Sequence, residues 1–332
     1  MNESAASSER FHAHFEQVLA EKLEAANAER RQTLRSMVVA WFMYCTPLVA
    51  LSVLGFLMQR DWGDFAGFLM YGPLLGLLFG IFVPINRYHT PYKKNFKQSL
   101  VAPLVAAYRP GTRYSPSAGI ERHELDSSGL FRNPSPNRVR GEDRVDGTIG
   151  DVRFRFSEVY AEHEKTWVGD DGQNKSKTIH VFKGLFYVAE FNKHVSGRTY
   201  VFPDRAQRLL GGLGQLLQSG DKTYGELVKL EDPEFEKQFV VYSTNQVEAR
   251  YVLSSSLMRK LVALQARTRK PMRIAIASSH LYVAIETGED NFEPSLFTPI
   301  DRALFQEFWD VLDIFVAIVE ELDLDTRIWT VA

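Results

Sequence analysis

The sequence predicts an α+β protein: a two-helix transmembrane hairpin, then a cytoplasmic domain with a mainly antiparallel sheet and a long C-terminal helix. The hairpin is predicted from two neighbouring apolar segments, centred near residues 48 and 75, that contain no charged side chain. Beyond about residue 111, short strands and turns follow without regular β-α-β order, which favours an antiparallel sheet. The last element, Ile300–Leu322, has apolar residues at helical spacing and is predicted to be the long helix.

Charge and cysteine content exclude one class of function and two kinds of covalent or metal site. The 332 residues include 39 Lys and Arg against 41 Asp and Glu, whereas a general nucleic-acid binder would be basic. We therefore expect no nucleic-acid partner. The single cysteine, Cys45, excludes an internal disulfide and a cysteine-based zinc site.

The N-terminal third is predicted to attach the chain to a lipid bilayer. Residues 1–36 are predicted to form a cytoplasmic amphipathic helix, followed by the predicted hairpin at 37–86 with spans at 37–58 and 65–86. Each span has 22 residues, which in a helix extend about 33 Å, slightly more than a hydrocarbon core of about 30 Å. The amphipathic helix is predicted from an apolar stripe formed by Phe11, Phe15, Val18 and Leu19.

Lysine and arginine residues set the predicted orientation of this hairpin. The connection Gln59–Asp64 contains only Arg60, whereas seven basic residues flank the outer ends of the two spans. Basic residues accumulate on the cytoplasmic side. We therefore expect a multi-pass protein of the bacterial inner membrane with both termini in the cytoplasm. The seven residues are Arg30, Arg31, Arg35, Arg87, Lys93, Lys94 and Lys97.

Three glycines of the second span predict close helix packing. Gly72, Gly76 and Gly80 recur at every fourth residue and so lie on one helical stripe, where another backbone can approach. Two interpretations are open: the stripe packs against the first span of the same chain, or it forms a homo-oligomer. Neither span contains an ionisable side chain typical of an ion or proton pathway.

The soluble part is predicted as a linker helix at 87–112 and an α+β domain at 113–332. We expect a long β-hairpin from Val152–Glu164 and Ile179–Asn192, and a second hairpin from Arg273–Ala277 and Leu281–Glu286. Four further strands are expected: Gly119–Phe131, Tyr200–Phe202, Leu227–Leu230 and Phe239–Tyr242. Two further helices are expected at Ala206–Leu217 and Ser254–Thr268. The segment Asn133–Arg144 is expected to be a loop.

Several sequence blocks occur in order across this soluble part. They include FSEVYAE at 156–162, FKGLFYVAEFNK at 182–193, VKLEDPEF at 228–235, QVEARYVL at 246–253, LYVAI at 281–285 and FEPS at 292–295. With these blocks, the chain from about Gly111 to Trp329 resembles the uncharacterised bacterial family called domain of unknown function 3137. The resemblance implies an upstream membrane hairpin and a membrane-anchored LemA-type protein as partner. It implies no established activity, so no catalytic residue is transferred.

The sequence contains no recognisable catalytic, phosphate-binding or metal-binding motif. We therefore expect no cofactor and no metal. One constellation supports an alternative: Glu162, His163 and His180 on the 152–192 hairpin would suit a membrane-tethered hydrolase, possibly metal-dependent, if strand register brought them together. The other interpretation is a polar strand end beside a solvated loop.

Charge is segregated in the C-terminal part. No acidic residue occurs between Tyr251 and Ile285, a stretch that holds six basic residues. Such a surface fits anionic headgroups or an acidic partner, although an ordinary solvated helix face has the same composition. We predict a membrane-anchored interaction or assembly module without enzymatic activity. The basic residues are Arg259, Lys260, Arg267, Arg269, Lys270 and Arg273.

Overall fold

The structure is a computed structural model, and it describes residues 20–58, 71–73, 76, 85–109, 111–190, 195–204 and 222–321. The chain divides into two compact units. The first comprises Met1–Leu104 with Glu293–Gln306, and the second comprises Val105–Phe292 with Glu307–Ala332.

The first unit is built on one long apolar helix, α1 (Ala20–Leu57). It continues without interruption from the charged segment into the first predicted span and contains Pro47. Between Lys22 and Leu57 its mean hydropathy reaches 2.0 while only 11% of that window is buried, so its apolar side chains face outward. Within the described ranges this is the one helix long and apolar enough to cross a membrane.

The predicted second span, 65–86, lies largely outside the described residues. Only 71–73, 76 and 85–86 are described within it, with Gly72 and Gly76 both helical. The two-helix arrangement of the hairpin is therefore not part of the observed fold, whereas one apolar N-terminal helix is.

A second helical stretch runs over residues 85–108. It combines α2 (Thr90–Phe96) and α3 (Ala102–Tyr108) with π-helical turns at Ile85–His89 and Lys97–Val101. Pro91 lies at the start of α2, and because proline has no N–H it donates no bond to the preceding π-helical turn. Tyr92, Phe96 and Leu100 recur on one face and are buried.

A short segment, residues 293–300, forms hydrogen bonds and ion pairs with both helical stretches of the first unit. Asn27 of α1 forms two hydrogen bonds with the backbone of Ile300. The buried guanidinium of Arg30 donates to the Leu296 carbonyl at 2.8 Å. Lys93 forms an ion pair with Glu293, and Lys97 lies 3.7 Å from the same carboxylate. These contacts are largely desolvated, which makes them stronger than surface pairs.

The second unit is a nine-stranded antiparallel sheet in the order β1-β2-β3-β4-β9-β8-β5-β7-β6. This confirms the predicted α+β class. The strands are β1 (Arg113–Ser115), β2 (Arg138–Ile149), β3 (Val152–Val168), β4 (Asn174–Glu190), β5 (Thr199–Pro203), β6 (Glu226–Val228), β7 (Phe239–Ser243), β8 (Met272–Ala277) and β9 (His280–Ile285).

Helices and apolar clusters cover both faces of the sheet. The helices are α4 (Arg122–Ser128), α5 (Pro233–Glu236), α6 (Gln246–Val252), α7 (Ser255–Thr268) and α8 (Arg302–Glu321), with a 3₁₀ turn at Lys222–Tyr224. On one face Phe315 of α8 stacks on Phe156 at 3.7 Å between ring centroids and on Tyr187 at 5.5 Å. The other face carries a cluster that includes Phe182 and Phe186.

Two predicted elements were wrong. The expected strand at 119–131 contains helix α4, because Glu121 and Glu124 form a capping box at its start and Gly129 ends it in the left-handed region at φ 67°. The expected loop at 133–144 contains the first half of β2, which pairs with β3 from Arg138 onward. The predicted helix Ala206–Leu217 lies outside the described residues.

Candidate functional site

The longest hairpin of the sheet projects beyond its neighbours. β2 pairs with β3 only as far as Glu162. The side-chain amide of Asn137 then donates to the Glu164 carbonyl and accepts from the Glu164 N–H, both at 2.8 Å. On the other side β9 pairs with β4 only from Leu185 to Glu190. Residues 165–168 and 174–177 therefore pair only with each other within the part of the chain that the structure describes. We call residues 165–177 the ribbon.

One face of the ribbon is basic and aromatic. Lys165 lies opposite Lys177 and Trp167 lies opposite Lys175, and alternate residues of a strand share a face. The Trp167 side chain is 42% exposed although tryptophan usually gains by burial. The opposite face carries the uncharged pair Thr166 and Ser176.

The lysines of this face differ in their neighbours. Lys175 forms an ion pair with Asp171 in the turn, at 3.2 Å. Lys165 and Lys177 form no ion pair among the residues described here, and they face each other directly across the ribbon. Like charges directly opposite on an antiparallel pair destabilise it. An acidic group from outside the ribbon would remove that repulsion.

The residues of the alternative hydrolase site fall on two faces of the same hairpin. Glu162 and His180 are register partners, so both lie on one face. His163 lies on the other face, and its Nδ1 is 2.6 Å from the carbonyl oxygen of Ser135. The Tyr160 hydroxyl donates to Glu162 at 2.8 Å, and this bond raises the pKa of the tyrosine. The register thus brings together two of the three residues.

The predicted basic surface is less uniform than its composition suggests. Arg273 is only 6% exposed and is not a surface residue: it pairs with Glu286 at 3.4 Å, and its guanidinium lies 5.2 Å from the centre of the Phe131 ring. Burial lowers the pKa of Arg273. Arg267 forms an ion pair with Asp313 of α8.

The remaining basic residues occupy the exposed side and the end of α7. Lys270 lies 3.9 Å from Glu289, and Arg269 ends the helix in the left-handed region at φ 53°. Arg259 is exposed and donates to the Ser255 carbonyl one turn earlier, whereas Lys260, the next residue in the helix, is half-buried. Acidic residues from other elements thus partly balance the charge.

The one glycine of the predicted stripe with described contacts faces the first span of its own chain. The Tyr44 hydroxyl of α1 donates to the Gly76 carbonyl at 3.3 Å. A Cβ atom added at Gly76 would lie 3.4 Å from Leu48 Cδ1. Gly72 is helical, and Gly80 lies outside the described residues.

Three acidic side chains converge at a bulge of β2, a feature without a motif in the sequence. Ligand-type oxygens of Glu142, Asp143 and Glu158 lie within 4.8 Å of one another. Asp143 is fully buried and accepts a hydrogen bond from the Tyr114 hydroxyl; burial, with this carboxylate as neighbour, holds the pKa of Tyr114 far above its usual value.

Glu158 has a structural role in the same cluster. One of its carboxylate oxygens accepts hydrogen bonds from the backbone N–H groups of Asn291 and Phe292, which fixes the turn after β9. A buried carboxylate that accepts backbone hydrogen bonds is satisfied without a ligand.

Comparisons with known proteins agree with the resemblance found in the sequence. Residues 180–324 match the family described as "Protein of unknown function (DUF3137)", so the later sequence blocks lie inside the matched region and those before residue 180 lie outside it. No curated protein matches the chain significantly.

One solved structure is weakly similar: the crystal structure of the mycobacterial trehalose monomycolate transport factor A. It shares 11% identity, the similarity covers 70% of this chain and 94% of that chain, and the TM-score is 0.34. Similarity at this level carries no functional conclusion for the present chain.

Proposed function

We propose that this chain is a membrane-held interaction module without enzymatic activity, and that the ribbon at residues 165–177 binds an acidic surface of a partner protein. The observation that carries the proposal is the juxtaposition of exposed Trp167 with Lys165 and Lys177 on one face, two lysines without an ion pair in the described part of the chain.

The ribbon by itself has little stabilisation, and this favours binding of a partner. An isolated two-stranded ribbon is marginally stable in water, and its unpaired edges offer backbone hydrogen-bonding groups to another chain. Tryptophan at the centre of a contact contributes a large share of binding energy, and complementary charge sets the register of the partner. A partner carboxylate between Lys165 and Lys177 would replace repulsion by attraction.

The proposal includes attachment through α1 and the second predicted span, with both termini in the cytoplasm of a bacterium. Its support is the exposed apolar surface of α1 together with the distribution of basic residues along the sequence. In this arrangement the membrane restricts the module to two dimensions, where a weak contact is sufficient for binding. The family resemblance makes a LemA-type membrane protein a specific candidate for the partner.

Photocrosslinking in native membranes tests the proposal on the full chain. A photoreactive amino acid replaces Trp167. In this background the test variant Lys165→Gln/Lys177→Gln is compared with the control Thr166→Glu/Ser176→Glu. The control lowers the net charge by the same amount, but on the opposite face of the ribbon. We expect one dominant protein adduct that the lysine variant loses and the control retains. Absence of any protein adduct, or equal loss in both variants, would overturn the assignment of the ribbon.

A second candidate function has one supporting observation. The register pair of Glu162 and His180 places an acid and an imidazole on one face of the hairpin. That arrangement keeps the membrane-tethered hydrolase as the alternative, and metal analysis distinguishes it from the interaction module.

A further inference from the structure

A polar groove separates α1 from residues 87–98 within the first unit. Glu29, Thr33 and Ser36 contribute one wall, and they recur at helical spacing on α1. Arg87, Tyr92 and Lys94 belong to the facing wall. Helices that pack directly against each other normally present apolar faces, so two facing polar walls indicate space for a polar occupant.

The sequence places this groove at the depth of lipid headgroups. Ser36 directly precedes the uncharged segment 37–58, and Arg87 directly follows the uncharged segment that ends at Asn86. From Glu29 to Ser36 the groove extends about 10 Å along the helix. The headgroup layer of one leaflet is roughly 5–8 Å thick. The groove therefore spans that layer if α1 crosses the membrane as proposed.

The charged groups of the groove match a phosphate. Arg87 and Lys94 are exposed cations on one wall. The one acidic side chain in the lining is Glu29, and one of its oxygens already accepts a hydrogen bond from Asn95 Nδ2 at 2.9 Å. Arginine and lysine form strong charge-assisted hydrogen bonds with phosphate oxygens.

A buried hydroxyl in the same lining lacks a partner. Tyr92 is 3% exposed, and its hydroxyl oxygen has no hydrogen-bond partner among the described residues. Burial raises the pKa of Tyr92 to about 12, so the phenol is protonated at neutral pH and remains a donor. Buried polar groups are normally paired, and an unpaired hydroxyl in the lining of the groove could donate to an oxygen of a bound ligand.

We infer that this groove binds the phosphate of an anionic phospholipid. Arg87 and Lys94 hold the phosphate, Tyr92 donates to it, and the acyl chains lie along exposed apolar residues of α1 such as Val39 and Phe42. Basic pockets between helices on the cytoplasmic side of a membrane are suited to such headgroups. The inference rests on the membrane attachment in the proposed function, and it adds a ligand class and a site.

Native mass spectrometry of the full chain tests the site. The protein is reconstituted with equal amounts of phosphatidylglycerol and phosphatidylcholine, then released into mild detergent, and retained lipid is counted. We expect preferential retention of phosphatidylglycerol, reduced roughly tenfold in Arg87→Gln/Lys94→Gln. The matched control Arg31→Gln/Arg35→Gln removes two exposed cations of α1 outside the groove and should retain the preference. Equal retention in all three proteins, or equal loss in both variants, would overturn the inference.

Two further experiments are needed. One distinguishes a phospholipid from free glycerol phosphate as the ligand, and the other distinguishes failure of the groove from failure of the proposed membrane attachment. Free glycerol phosphate is offered to delipidated protein, and binding as tight as that of the lipid would overturn the assignment to a phospholipid. Tyr92→Phe is expected to weaken retention without lowering the melting temperature, which keeps the test valid if the double variant fails to fold. Sedimentation with alkali-washed membranes reports membrane attachment separately. A chain that stays in the membrane without lipid preference refutes only the groove, whereas a chain released from the membrane refutes the proposed function.

Discussion

The side chain of Asn27 in α1 pairs with the backbone of Ile300 as a neighbouring strand would. Its Nδ2 donates to the Ile300 carbonyl at 2.7 Å, and its Oδ1 accepts from the Ile300 N–H at 3.0 Å, across 273 positions of sequence. One amide thus satisfies both backbone groups of a residue that lies in no helix or strand.

Removal of this amide should loosen the 293–300 segment. Asn27→Ala leaves two partly buried backbone groups of Ile300 without their partner, which costs about 1–3 kcal/mol. We expect a lower melting temperature in detergent and faster amide hydrogen exchange at Ile300. Asn95→Ala, which removes an exposed side-chain bond to Glu29, serves as the control and should have a small effect. Unchanged exchange at Ile300 in Asn27→Ala would contradict the prediction.

Half-buried Tyr114 and fully buried Tyr187 should respond in opposite ways to loss of their hydroxyl groups. The Tyr114 hydroxyl bonds to buried Asp143, so Tyr114→Phe deprives a buried carboxylate of a donor and should destabilise the protein by about 1–3 kcal/mol. The Tyr187 hydroxyl is buried without a partner in the described part of the chain, so Tyr187→Phe should be neutral or stabilising. Thermal unfolding of both variants measures the difference, and a larger loss in Tyr187→Phe would refute this interpretation.

Alkaline pH should destabilise the folded protein. Burial raises the pKa of Tyr92 to about 12 and holds the pKa values of Tyr114 and Tyr187 well above their usual 10. The folded phenols keep protons that the unfolded phenols lose, so their stabilising contribution is complete below about pH 10 and decreases as the pH rises towards 12. Melting temperatures measured between pH 8 and roughly 11 should fall, and Tyr92→Phe should make the decrease shallower. A decrease of the same steepness in that variant would exclude Tyr92 as a source.

The size of the residue at position 76 should decide the packing of the glycine stripe. Gly76→Ala is expected to be tolerated, because the added Cβ meets Leu48 at an ordinary contact distance of 3.4 Å. Gly76→Leu adds three further carbons and should cost about 1–3 kcal/mol by overpacking against α1. Thermal unfolding measures this cost, and chemical crosslinking in membranes measures self-association. If Gly76→Leu lost its crosslinks without a change in melting temperature, the result would instead favour the homo-oligomer.

Metal content should separate the interaction module from the hydrolase. Glu162 and His180 supply two ligands on one face while His163 lies on the other, whereas catalytic zinc sites use three protein ligands. We expect the full chain to purify without stoichiometric metal and His180→Ala to unfold at the same temperature as the parent. A stoichiometric metal that His180→Ala loses would favour the hydrolase.

Local patterns predicted the elements with strong periodicity. α7 begins one residue after the predicted start because Ser254 is its N-cap, and its Leu257, Leu261 and Leu264 are buried as expected of one apolar face. The two hairpins follow from alternation of apolar residues. By contrast, Arg138–Glu142 contains one apolar side chain, Val139, so the start of β2 has no period in sequence and becomes a strand only by pairing with β3.

The candidate sites depend on relationships that no local pattern contains. The distance between Lys165 and Lys177 follows from the register of a long hairpin, and a shift of one residue would place them on opposite faces. Arg273 has the composition of a surface residue, yet the pairing of β8 with β9 and the position of Phe131 place it inside the domain. The groove beside Tyr92 requires two helices that are far apart in sequence.

The two outermost strands of the sheet, β1 and β6, are only three residues long each. A long exposed edge strand offers a template on which a second copy can extend the sheet into a fibrous polymer. Such short borders give a neighbouring copy too few backbone groups to continue the sheet. The lengths of these two strands thus disfavour edge-to-edge polymerisation at the two ends of the sheet.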